Sequence, residues 1–133
     1  MKVIVDTSVW SLALRRKTGQ ITPPVEKLID LIQKEENIFL SGIILQELLQ
    51  GIKSSKDFSR LLEKLSPFPL IEPHRKDYIE AARLRNHCSS KGVQAGTVDC
   101  LIASICIRYD CFLLTTDGDF ILIAERSTLQ LLK

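Results

Sequence analysis

The chain has 133 residues, 45% of them hydrophobic and 26% charged, which is enough for one packed core and unlike disordered, collagenous or disulfide-scaffold compositions. Its 18 basic and 16 acidic residues leave a formal charge of +2, too mild to argue for a polyanionic partner by itself. The longest apolar stretch, residues 98–114, is interrupted by Asp99, Arg108 and Asp110, so no segment reads as a membrane span.

In chain order, Lys2 to Val5 is a short β-branched run, read as a buried strand ending at Asp6. The run is too short for a secretory signal and lacks a basic n-region, so the expected location is the cytoplasm. Thr7 and Ser8 are expected to cap a short helix carrying Val9, Trp10, Leu12 and Leu14. Trp10 reads as core, with base stacking as the alternative. Gly19 marks a loop, and Thr22-Pro23-Pro24 opens a second helix in which Val25, Leu28, Ile29 and Ile32 fall at helical spacing.

Asn37 to Ser41 reads as the second strand, followed by a helix from Gly42 to about Ile52 and another from Lys56 to Leu65. Ser66-Pro67-Phe68-Pro69 breaks the chain before the short extended piece Leu70-Ile71. A long helix from His74 to Ser90 follows, with Ile79, Ala82 and Leu84 as its apolar positions, and then a loop flanked by Gly92 and Gly96. Thr97 to Tyr109 is a helix apolar on nearly every side, hence deeply buried. Cys111 to Thr115 is another apolar strand, Asp117-Gly118-Asp119 a turn, and Thr128 to Leu132 a last edge strand. Strands separated by helices predict a parallel sheet with helices on both faces, in a single domain over residues 1–133.

The cysteines Cys88, Cys100, Cys106 and Cys111 form no C-x-x-C pair, and His74 and His87 stand away from them in no ligand spacing. Small buried hydrophobes with free thiols is the plain reading.

The informative residues are acids where the pattern calls for apolar side chains. Asp6 ends a buried strand, where open α/β sheets border their ligand crevice; a helix cap is the alternative. Glu47 falls on a helical wheel between Ile43 and Ile44, near Gly51, while Gln46 and Gln50 hold the polar face. A carboxylate on a core-directed face is costly without a partner, unless it reaches out to solvent. Asp99 lies in the first turn of the most apolar helix, where the dipole favours an anion, yet Gly96 and Thr97 are available as the cap. Asp117 follows an apolar strand and emerges at the same sheet edge as Asp6, although a turn favours aspartate there too. Several acids converging on one edge repel one another unless a cation sits between them. Mg²⁺ or Mn²⁺ prefers such oxygen ligands, and the spacing argues for phosphoryl hydrolysis or transfer without naming a substrate.

Four segments resemble the PIN-domain family: Val3-Ile4-Val5-Asp6-Thr7-Ser8-Val9, Glu47 in the helix after the second strand, Thr97-Val98-Asp99-Cys100-Leu101-Ile102-Ala103, and Leu113-Leu114-Thr115-Thr116-Asp117-Gly118-Asp119-Phe120. Their order and context cover nearly the whole chain, and the small size is most like the VapC toxins of toxin–antitoxin pairs. The resemblance implies a three-layer α/β/α sandwich with a mainly parallel four- to five-stranded sheet. It implies an endoribonuclease that hydrolyses RNA with a metal-activated water, using Mg²⁺ or Mn²⁺. Asp6, Glu47, Asp99 and Asp117 would be the catalytic and metal-binding acids, with Asp119 as an additional or supporting acid and Thr7, Ser8 and Thr115 orienting carboxylates or waters by hydrogen bonds. A homodimer silenced by a cognate antitoxin would be the working form. Arg15, Arg16 and Lys17 are the first candidates for holding RNA phosphates.

Two other readings compete. Haloacid-dehalogenase-type enzymes need an acid at the position of Ser8, and receiver domains need paired acids after the first strand and a late lysine; this chain has neither. A catalytically silent PIN fold that only binds RNA or protein would be marked by loss of an acid, and all four remain.

Overall fold

Val3, Ile4 and Val5 are completely buried, which puts β1 (Lys2–Val5) at the centre of the sheet rather than at an edge. It pairs in parallel with β2 (Asn37–Ser41) on one side and β4 (Phe112–Leu114) on the other. The short strands β3 (Leu70–Ile71) and β5 (Gln130–Leu131) close the two edges, also in parallel. The order is β3-β2-β1-β4-β5. The computed structural model describes residues 1–15 and 21–133, so Arg16, Lys17 and the loop glycine Gly19 lie outside the described residues.

Successive connections from β1 step toward β3 and those into β4 and β5 step the other way, so right-handed crossovers place their helices on opposite faces. One face carries α1 (Thr7–Arg15), α2 (Pro23–Gln33), α3 (Gly42–Leu49) and α4 (Ser55–Leu65), with α1 packed on both α2 and α3, and α3 on α4. The other carries α5 (Arg75–Ser90), α6 (Thr97–Arg108) and α7 (Asp119–Ala124), with α6 packed between its neighbours. The expected three-layer arrangement with a parallel sheet is therefore present, with five strands. The direction of winding reverses between β1 and β4, and the carboxyl ends of those two strands border the crevice where such folds bind ligands.

The core runs on both sides of β1. The stretch Ile102–Cys106 of α6 is buried throughout, as its apolar surround requires. Trp10 is core as well, with its ring 5.1 Å from that of Phe68 in an edge-on packing; it is not free to stack on a base. All four cysteines are buried free thiols. Burial pushes the Cys100 thiol up to about 11 and those of Cys106 and Cys111 upward too, which keeps them protonated.

Several local expectations need correction. Thr7 and Ser8 do not cap α1: they lie inside its first turn, and the backbone carbonyl of Asp6 takes the amides of Val9 and Trp10 instead. The α3 helix stops at Leu49 rather than near Ile52, because Gln50 is extended and Gly51 adopts φ +87°, a left-handed conformation that suits glycine. In α2 the buried stripe is Val25, Leu28 and Leu31, leaving Ile32 exposed; in α5 it is Asp77, Ala81 and Cys88, leaving Ile79 and Ala82 exposed. Both phases are set by the helices they pack on, which a wheel drawn on one sequence does not contain. The turn at Asp117–Asp119 runs directly into α7, a helix the sequence reading did not anticipate.

Candidate active site

Asp6 sits at the carboxyl end of β1, 6% exposed, and its carboxylate is held rather than free. The hydroxyls of Ser8 and Thr115 both donate to Oδ2, at 2.7 and 2.8 Å. These come from the first turn of α1 and the end of β4, so two neighbouring strands fix one oxygen. The two hydroxyls also lie 3.3 Å from each other, and the Thr116 amide donates to Ser8 Oγ at 3.1 Å. Among the described residues Oδ1 receives no hydrogen bond.

Glu47, half-buried on α3, accepts a 2.9 Å hydrogen bond from the Thr7 hydroxyl at Oε1. The residue after Asp6 thus positions a second acid from a different helix. Asp117 is fixed twice: its amide donates to Thr115 Oγ1 at 3.0 Å, and its Oδ1 accepts the Asp119 amide at 2.9 Å. That last bond is a tight aspartate turn at the entrance to α7, and it brings the Asp119 carboxylate into the site.

Asp99 enters from the first turn of α6, three residues past the N-cap Gly96. Among the described residues its carboxylate takes no hydrogen bond and no ion pair. The capping alternative therefore has no contact to support it. Its carboxyl is pushed up from 3.8 to about 6, first by burial and then by the negative charges of Asp117, Asp6, Asp119 and Glu47 in that order. One side chain thus senses all four other acids.

One oxygen each from Asp99, Asp117 and Asp119 lies within 4.8 Å of the others. Asp119, exposed to solvent at the start of α7, is one of these three. Asp6 and Glu47 flank the group and act on Asp99 by charge. No lysine or arginine forms an ion pair with any of the five among the described residues. An all-oxygen donor set, negative and without a protein cation, suits a hard divalent ion such as Mg²⁺ or Mn²⁺.

Of the basic residues expected near the site, Arg15 ends α1 and lines a cleft of about 350 Å³ that also contains Glu47. Arg60 and Lys64 of α4 line the same cleft, and the sequence reading passed over both. Their i, i+4 spacing put them on one helix face, but nothing in the sequence said which face of α4 meets α1.

The family model described as PIN domain matches residues 3–126. The chain is 28% identical to Ribonuclease VapC11 of Mycobacterium tuberculosis over 130 residues, 96% of each. Among solved structures it resembles VapBC2 from Rickettsia felis bound to a promoter DNA fragment, with 25% identity and a TM-score of 0.80 over 99% of this chain and 98% of that one. It also shares the fold of FitAcB from Neisseria gonorrhoeae, with 21% identity and a TM-score of 0.76 over 98% of this chain and 96% of the other.

Proposed function

This chain belongs to the PIN-domain family, and on that footing we propose that it is a divalent-metal-dependent endoribonuclease, the toxin of a VapBC-type toxin–antitoxin pair. The single observation that carries the reading is Asp99, without a partner among the described residues, inside the field of four other carboxylates. The similarity to a named ribonuclease, and to toxin–antitoxin complexes in structure, supports RNA as substrate and an antitoxin as partner. A cytoplasmic homodimer covered by its antitoxin, with residues 1–133 as one domain, completes the proposal. No helix among the described residues is long and apolar enough to cross a membrane.

In this reading Asp6, Glu47, Asp99 and Asp117 are the catalytic acids, and Asp119 is a further donor. A bound Mg²⁺ or Mn²⁺ would polarise a phosphoryl oxygen and make water a better nucleophile near neutral pH. The protein's own part is to hold its oxygens in place before the ion arrives. Ser8 and Thr115 pin Asp6 Oδ2 and leave Oδ1 to point elsewhere. Thr7 orients Glu47, and the turn at Asp119 orients Asp117. These hydroxyls and amides fix where the carboxylate oxygens point, which is what ligation by carboxylate requires.

The test is cleavage of labelled structured RNA by the purified, partner-free protein with Mg²⁺, with Mn²⁺, with EDTA, and by an Asp6→Asn plus Asp99→Asn variant. Metal-dependent cutting that disappears in the variant is the expected result. RNA retained but never cut, with or without metal, would move the assignment to a silent binding module.

A further inference from the structure

Resting on the ribonuclease reading, we propose that the cleft between α1 and α4 is the path by which an unpaired RNA segment reaches the acids, with Arg15, Arg60 and Lys64 holding its phosphates. The problem this solves is electrostatic. A polyanionic substrate must approach a centre of five carboxylates, and among the described residues none of the five forms an ion pair with a protein cation. An incoming phosphodiester needs positive charge along its route as well as at the metal.

The cleft supplies it in the right place. Glu47 belongs to both regions: it raises the Asp99 carboxyl from within the acid cluster, and it lines the cleft. The cleft therefore meets the acid group at Glu47. Its α4 wall is one helical stripe, Asp57, Arg60, Leu61 and Lys64, and Arg15 faces it from the end of α1. Arg60 and Lys64 stand about 6 Å apart along the α4 axis. All three cations lack ion pairs among the described residues. Asp57 is the one acid on the outer walls, so the cations outnumber it there. At about 350 Å³ the cleft is at the small end of ligand-binding clefts. That is room for unpaired nucleotides and not for a duplex.

The probe is a fluorescein-labelled unpaired oligoribonucleotide, read by anisotropy in an Asp99→Asn background and by cleavage kinetics in the otherwise native chain. The Arg60→Ala/Lys64→Ala double variant is expected to weaken binding about tenfold or more near physiological salt, and to flatten the slope of log K against log salt by about 1.4 for two lost phosphate contacts. In cleavage the loss should appear in KM, with kcat within about threefold of wild type. Lys76→Ala/Arg83→Ala on α5 removes the same charge elsewhere and should change neither.

Glutamine at both α4 positions repeats the test with less lost packing, should the alanine pair melt early. Equal affinity and slope for the α4 and α5 variants would overturn the cleft while native cleavage leaves the ribonuclease reading standing. Cation-dependent binding through the cleft without cleavage under any metal would do the reverse. A poly-glutamate peptide of matched charge that binds the native cleft as tightly as the RNA would assign it to an acidic protein partner and overturn the proposal.

Discussion

Two carboxylates in this molecule, one buried and one half-buried, have opposite surroundings. Asp77, at the start of α5, is 1% exposed and lies 2.8 Å from the Arg108 guanidinium of α6, while its Oδ2 also accepts the His74 amide at 2.7 Å. Asp99, at the start of α6, has neither a cation nor a hydrogen-bond donor among the described residues and feels the charge of four more acids. Both are acids in the first turn of a helix, where the dipole gives each the same small benefit. An acid that brings its own cation ties two helices together. An acid denied one is arranged for a cation from outside, at a cost to the empty protein.

The sharpest way to break that contrast is to neutralise each acid and read activity and stability together. Asp99→Asn should lower RNA cleavage by at least about 10²–10³-fold, yet raise rather than lower the melting temperature of the metal-free protein. A fall in melting temperature would mean that Asp99 supports the fold and would undo the comparison. Asp77→Ala should do the opposite, destabilising by about 2–4 kcal/mol through the stranded Arg108 and the uncapped α5 amide. Urea unfolding measures that loss, and cleavage per folded molecule should stay near wild type.

Smaller effects sharpen the contrast within the site. Thr115→Val or Ser8→Ala removes one of two hydroxyls from Asp6 Oδ2 and should weaken metal activation about 10- to 100-fold. The readout is a Mg²⁺ titration of cleavage, where a shifted half-saturation with intact maximal rate separates positioning from catalysis. The last effect is one of pH. The Asp99 carboxyl titrates near 6 in the folded chain and near 3.8 when unfolded, so between those values the folded state binds more protons. Stability of the metal-free protein must then rise as pH falls from 7 through 6 and stop gaining near 4. Saturating Mg²⁺ favours the charged form and should flatten that rise; a slope unchanged by metal would separate Asp99 from the ion.

Much of the site was legible because its residues violate the pattern around them. Asp6 after Val3-Ile4-Val5, and Asp99 ahead of Cys100-Leu101-Ile102-Ala103, are carboxylates set in apolar runs, and burial explains why they stand out. Asp119 and α7 were less legible, since Asp-Gly-Asp reads equally well as a surface turn; only the folded chain brings the exposed Asp119 carboxylate close to those of Asp99 and Asp117. The local pattern around Thr7 and Ser8 suggests helix caps, whereas the resemblance implies support for the acids. A hydroxyl beside a helix start has two possible acceptors, and the carboxylates that capture these two come from Asp6 itself and from residue 47, forty positions along.

The sequence by itself determined the alternation of strands and helices, the parallel sheet, and where acids interrupt apolar runs, at strand ends for Asp6 and Asp117, at a helix start for Asp99 and inside a helix for Glu47. Those follow from local periodicity and from the cost of placing charge among apolar neighbours, both of which act within a few residues. The tertiary structure alone decided that Asp119 joins Asp99 and Asp117, and that Thr115 and Ser8 share one oxygen of Asp6. It also decided that Arg60 and Lys64 face Arg15 across a cleft ending at Glu47. Each of these joins segments far apart in the chain, and their meeting depends on how helices pack and in which phase. Local spacing carries no record of that phase.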